Sequence, residues 1–269
     1  MGFYNSPRII LDDLVLNLDA GNTKSYVVDI ETPAGPAYGY WTGGGSPSII
    51  SSVSRIDYSN DTPTAAAKGP LSNAIDYSAG TGTQSYGYIG SGSPTISSVD
   101  RIDYSNDTAT AVAKGPLSAG NYAFSATGSP SYGWFAGGAY DAKSTVDRVD
   151  YSNDTATAAA KGPLDVAKYA TGASSAQGNA LSTSPTYATR SLSSSLGTDY
   201  GYWAGGSAPG VGGPYSTTNR IDYSSDTTDM TTKGPLTSAR SSASGTGDTS
   251  YGYAVGGGWP IGSLVDRLD

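Results

Sequence analysis

Apolar and polar positions alternate in VDRIDYSNDTATAVAKGPL (99–117), and near copies of that phrase begin at Val53, Val146 and Thr218. Alternation puts Ile102 and Tyr104 on one face of a strand and Val99, Arg101 and Asp103 on the other. A shorter copy, VDRLD, occupies 265–269. Each copy follows a tyrosine-led run: YGYWTGGG (38–45), YGYIGSG (86–92), YGWFAGG (132–138), YGYWAGG (200–206) or YGYAVGGG (251–258). These runs predict a first strand, and their closing glycines suit the crowded inner edge of a sheet, where backbones approach closely. SNDT (59–62, 105–108, 152–155) and SSDT (224–227) predict hairpin turns, because Asn and Asp bond their own backbone. A small-residue run such as TATAVAKG then makes a third strand, stopped by Gly-Pro. A fourth is predicted in NYAFSATG (121–128) and RSSASGTG (240–247).

The leading tyrosines, Tyr38, Tyr86, Tyr132, Tyr200 and Tyr251, are spaced by 48, 46, 68 and 51 residues. A period of about 50 made of short strands predicts an all-β, kelch-like β-propeller. Five four-stranded blades start near 38, 86, 132, 200 and 251, with an insertion at about 165–186 in the third unit. The fifth unit stops after two strands, while LVLNLD (14–19) and SYVVDIE (25–31) lie just before the first. Residues 1–37 are therefore expected to supply the closing strands of the last blade, so that 38–269 form a ring without a raw edge.

Composition sharpens this picture. Leu, Ile, Val and Phe make only about 15% of the 269 residues, yet 21 tyrosines and a net charge of −8 argue against disorder. One glutamate against 22 aspartates, with 37 glycines, disfavours helix. The acidic balance has the wrong sign for nucleic acid. No apolar run approaches the ~18 residues of a membrane span, and MGFYNSPRII is no secretory signal.

Cysteine and histidine are both absent, which excludes disulfides, thiolate or histidine metal sites and histidine-based nucleophilic triads. No cofactor or metal is expected, and no enzymatic activity: the aspartates follow the repeat, where an active site should break it. Each copy of the VDRID strand carries Arg and Asp two apart: Arg55/Asp57, Arg101/Asp103, Arg148/Asp150, Arg220/Asp222 and Arg267/Asp269. These ten are expected to be structural charges between blades, desolvated and hence costly to remove singly. Lys68, Lys114, Lys161 and Lys233, each before Gly-Pro-Leu, read as solvated strand ends.

The repeats diverge after the first strand and after the third, and in an up-and-down blade these connections share one end. Recognition belongs on such loops. Tyr140, Tyr169, Tyr187, Tyr215 and Trp259 are the candidate ligand or partner residues there, suited to stacking on sugars or packing on protein.

The succession YGYWTGGG … SRIDYSNDTPTAAAKGPL over 38–269 resembles kelch-like repeats in tail-fibre-type structural proteins of marine, especially cyanobacterial, bacteriophages. LVLNLDAGNTKSY (14–26) resembles a segment near the start of phage appendage proteins. The resemblance implies a virion component, made in the host cytoplasm. Its implied partners are other virion proteins, a host-surface glycan or protein receptor, and other copies of itself, without nucleic acid or membrane insertion. The alternatives are a secreted bacterial adhesin or lectin-like propeller and, behind it, a glycan depolymerase.

Overall fold

The computed structural model describes residues 38–45, 47–90, 92–139, 142–175, 200–208, 214–247, 251–257 and 263–268. Five antiparallel sheets form the blades of a β-propeller, in keeping with a kelch-like repeat. Blade 1 holds β1 (Tyr38–Thr42), β2 (Val53–Asp57) and β3 (Ala66–Lys68). Blade 2 holds β4 (Ala79–Gly82), β5 (Tyr86–Gly90), β6 (Val99–Asp103) and β7 (Val112–Lys114). Blade 3 holds β8 (Ser125–Gly128), β9 (Tyr132–Ala136), β10 (Val146–Asp150) and β11 (Ala159–Ala160). Blade 4 holds β12 (Gly172–Ser175), β13 (Tyr200–Ala204), β14 (Thr218–Asp222) and β15 (Thr231–Lys233). Blade 5 holds β16 (Ser244–Gly247), β17 (Gly252–Val255) and β18 (Val265–Leu268). Among the described residues, no helix is long and apolar enough to cross a membrane.

Every sheet is a meander in chain order, and this changes the place of two predicted strands. The fourth strand of each unit joins the next tyrosine-led strand, so AGTG, SATG, GASS and SGTG are the innermost strands of blades 2 to 5. They pack against one another around the axis, β4 on β8, β8 on β12 and β12 on β16. Only small residues fit there: a Cβ on Gly245 would lie 1.9 Å from the Ala173 carbonyl oxygen. The tyrosine-led strand is second from the axis. Its closing glycines do not line the inner edge; pairs such as Gly137 and Gly138 take φ of +80° and +129° and bend the chain into the loops. Residues 165–175, counted with the insertion on sequence, fold as an ordinary loop and inner strand; the extra length follows Ser175. The closing role expected of 14–31 lies outside the described residues.

The core sits between blades rather than within them. Tyr88, Val99 and Leu117 of blade 2 pack on Phe124, Phe135, Val149 and Ala158 of blade 3. Val53, Leu71 and Ile75 of blade 1 and its exit loop meet Ile102 and Ala111 of blade 2 in the same way. The alternation within VDRID thus sends Val99 forward to the next blade and Ile102 back to the preceding one.

Candidate functional site

The repeated phrase is an interlocking joint. In joint 2|3, Asp154 of the blade 3 turn accepts from Arg101 Nη1 (2.7 Å), Lys114 Nζ (3.1 Å) and Tyr88 Oη (2.9 Å), all of blade 2. Joint 1|2 repeats this on Asp107 with Arg55, Lys68 and Tyr40. Joint 3|4 repeats it on Asp226 with Arg148, Lys161 and the Trp134 indole N–H. The Gly-Pro that follows each lysine completes the lock. Gly115 N–H donates to the Asp154 carbonyl, and Ala158 N–H to the Pro116 carbonyl. Arg101 also lies over the Tyr86 ring, at 4.4 Å from its centroid.

Burial pushes the Asp107 and Asp154 carboxyls up, but the tyrosine hydroxyl, lysine and arginine around each outweigh it and hold both below the ordinary range. The Tyr88 hydroxyl moves the other way, to about 12, through burial and its bond to the Asp154 carboxylate.

These joints redistribute the predicted charges. Arg55, Arg101 and Arg148 cross between blades, but not to the aspartates two residues on. Asp57, Asp103, Asp150 and Asp222 turn back to their own hairpins, each accepting from the N–H and hydroxyl of Ser59, Ser105, Ser152 or Ser224. The serine hydroxyls hold Asp57, Asp103 and Asp150 below the usual carboxylate range. The crossing carboxylate is instead the Asp of SNDT (Asp107, Asp154) or SSDT (Asp226), expected on sequence only to shape its turn. Lys68, Lys114 and Lys161 are correspondingly not solvated ends: their side chains are only 11–12% exposed. Arg220 and Arg267 lie over Tyr200 and Tyr251 in the same pose as Arg101 over Tyr86. Asp269 lies outside the described residues.

At the opposite end from the SNDT turns, the divergent loops gather. Backbone bridges join the loops after the tyrosine-led strands of blades 2, 3 and 4 to loops after outer strands: Asp76 with Ser93, Lys143 with Lys168, Tyr169 with Ser207. Tyr169 and Tyr215 both lie here, half-buried, tied by main-chain bonds to Ser207, Gly206 and Arg240. Tyr140, Tyr187 and Trp259 lie outside the described residues.

The structure adds a residue that the sequence reading missed. A chain of main-chain bonds links successive blades at this face: Ala123 N–H to the Tyr77 carbonyl, Ala170 to Ala123, and Ser242 to Ala170. All four residues carry φ of +50° to +55°, a region costly for side chains with a Cβ. Three of them are Ala or Ser. The fourth, Tyr77, is bulky and 68% exposed, with its ring 6.3 Å from that of Tyr122. Alignment of NAIDYS (73–78) with AGNYAF (119–124) would have exposed this odd tyrosine.

Two buried ionisable groups also face the loop end. Lys168 is fully buried, and burial lowers its pKa. Asp147 is raised by burial, against the opposing bonds from Ser118. Among the described residues, no three potential metal-ligating side chains converge. The chain matches no known protein family. It also matches no curated protein.

Proposed function

We propose that the protein is a non-catalytic structural component of a bacteriophage virion, a tail fibre or other appendage, whose propeller presents its loop face to a host-surface glycan or protein. The virion part of this reading rests on the resemblance of the repeated phrase to marine phage structural proteins. The attachment part rests on Tyr77: a bulky ring held in a strained backbone conformation, exposed, on a face whose main chain is knitted across blades. The sister repeats share this backbone conformation but fill it with Ala or Ser, so the large exposed ring at Tyr77 is not needed for the turn and supports a role in contact. An aromatic on a rigid scaffold gives stacking area at small entropic cost.

Two measurements test the two parts separately. Labelled antibody against the protein should decorate purified particles in electron micrographs; particles that never carry label remove the virion assignment. Purified protein should compete with particles for host cells, and Tyr77→Ala should weaken that competition about tenfold, some 1.4 kcal/mol. Competition unchanged by Tyr77→Ala removes this face as the attachment surface.

A further inference from the structure

One position separates the blades more sharply than any other on the loop face. Four residues after the buried leucine that follows each outer strand stand Ile75, Asn121, Lys168 and Arg240, on the approaches to blades 2, 3, 4 and 5. The second residues of the strands β6, β10, β14 and β18 are Asp100, Asp147, Asn219 and Asp266, and in blades 4 and 5 the lysine and arginine reach theirs. In blade 5 the Arg240 guanidinium donates to Asp266 Oδ2 and to the Ala254 carbonyl. In blade 4 the Lys168 ammonium donates to Asn219 Oδ1 and to Thr217 Oγ1. In blade 2 the apolar Ile75 needs no partner, and both Asp100 oxygens are occupied by Ser72, one by its N–H and one by its hydroxyl.

At this repeat position blade 3 has the acid, and Asn121 stands where the next two blades have a cation. Asn121, at the position of the cation, donates to the Gly137 carbonyl and accepts from Tyr122 N–H. Ser118 puts both its N–H and its hydroxyl on Asp147 Oδ2. Asp147 Oδ1 is buried and meets no donor among the described residues, in a residue only 6% exposed. Beside it is a cavity of about 150 Å³, lined by Asp147, Asn121, Thr145, Lys143, Phe124 and Phe135. Thr145 and Phe135 occupy the repeat positions of Thr217 and Ala254, which help to hold the ammonium and guanidinium of the next two blades.

We propose that this cavity binds the guanidinium or ammonium head of a small organic cation, in the place that Lys168 and Arg240 fill from within the chain. A buried carboxylate oxygen without a donor is unfavourable, and a charge-assisted bond is the strongest way to satisfy it. The volume, about that of five waters, admits such a head with a short alkyl stem. Phe124 and Phe135 provide the apolar wall for that stem. Lys143, half-buried in the cavity lining, forms no ion pair among the described residues and disfavours a second positive charge on the ligand.

Calorimetric titration of the full chain with methylguanidinium, and with its neutral isostere N-methylurea, tests this. Methylguanidinium should bind saturably and at least about tenfold more tightly than N-methylurea. Asn121→Arg should reproduce blade 5, abolishing methylguanidinium binding while raising the Tm. Asp147→Asn should weaken binding to the level of the neutral compound; if that variant fails to fold, Asn121→Arg still decides. Indistinguishable affinities for the two compounds, or binding that survives Asn121→Arg, overturns the proposal. So does the absence of saturable binding to the unsubstituted chain, which would leave the cavity to solvent or to Lys143.

Discussion

Joints 1|2, 2|3 and 3|4 and the flanks of blades 1 and 5 are written in the same residues but packed differently. Phe135 and Trp203 are 3% and 0% exposed against the preceding blade, whereas Trp41, at the same repeat position in blade 1, is 54% exposed. Val53, Val99 and Val146 are at most 1% exposed, yet Val265 is 59% exposed. Tyr104, Tyr151 and Tyr223 stack on Tyr40, Tyr88 and Trp134 at 4.0–4.9 Å; Tyr58, their counterpart, is 51% exposed. Joint 4|5 is intermediate. Tyr202, Ala204 and Leu236 pack on Ala254 and Leu268, but Arg220 and Lys233 have no carboxylate partner among the described residues. Blade sequence is therefore enough to make a sheet, while burial and ion pairing belong to pairs of blades, as in other repeat architectures.

The strongest way to break this comparison is to remove the same aspartate from a joint and from a flank. Asp154→Ala strands Arg101 and Lys114 in a mostly buried site and should cost ~3–5 kcal/mol, roughly 10 °C in Tm. Asp61, its counterpart in blade 1, is exposed, and Asp61→Ala should stay within about 0.5 kcal/mol. Thermal unfolding of both variants measures the difference; equal losses would mean that the joints contribute no more than surface charges.

The glycines before proline give a second pair. A Cβ on Gly115 would sit 1.9 Å from the Ala156 carbonyl oxygen, and backbone must shift to admit it; Gly234 has nothing within 4 Å. Gly115→Ala should therefore destabilise by ~1–3 kcal/mol, and Gly234→Ala should be neutral or slightly stabilising. Urea unfolding that ranks them the other way contradicts the packing of joint 2|3.

Acid should open the paired joints. The Asp107 and Asp154 carboxyls are held below their unfolded value, so their contribution is present above an unfolded pKa of about 3.9 and is lost as pH falls through the lower folded pKa. Asp147, raised by burial, acts in the opposite sense and is relieved by acid. Stability followed below pH 4 should fall less steeply in Asp154→Asn than in the unsubstituted chain. An identical slope would remove Asp154 from the acid response.

How far these features were legible follows from the range over which each is determined. Strand period, turns and the opposite faces of Val99 and Ile102 are local patterns and could be read directly. Membership of SATG and AGTG in the following sheet was not, because small residues leave no apolar alternation to show which neighbour they pair with. The partner of Arg101 lies 53 residues away, beyond the adjacent Asp103 that spacing suggests. Lys114 before Gly-Pro looks solvated until the next blade's turn closes over it. The blade 3 cavity depends on Asn121 standing in a column with Lys168 and Arg240, a column aligned only once the sheets are known. Tyr77 is hidden for the same reason.

The finest contrast rests on one hydroxyl. Tyr151 Oη lies 3.2 Å from Thr81 Oγ1 on the inner strand of the preceding blade, and burial pushes its pKa well up. Tyr223 makes the same contact with Thr127 at 3.0 Å. Tyr151→Phe leaves the stacked ring on Tyr88 and removes only this bond, leaving the threonine hydroxyl without its tyrosine partner, which should cost ~1 kcal/mol. Tyr58 has no such threonine opposite it among the described residues, and Tyr58→Phe should change nothing measurable. A matched pair of denaturation curves would resolve the difference. Equal effects from the two would mean that the hydroxyl contributes through solvent, and that what joins one blade to the next is ring packing and ion pairing alone.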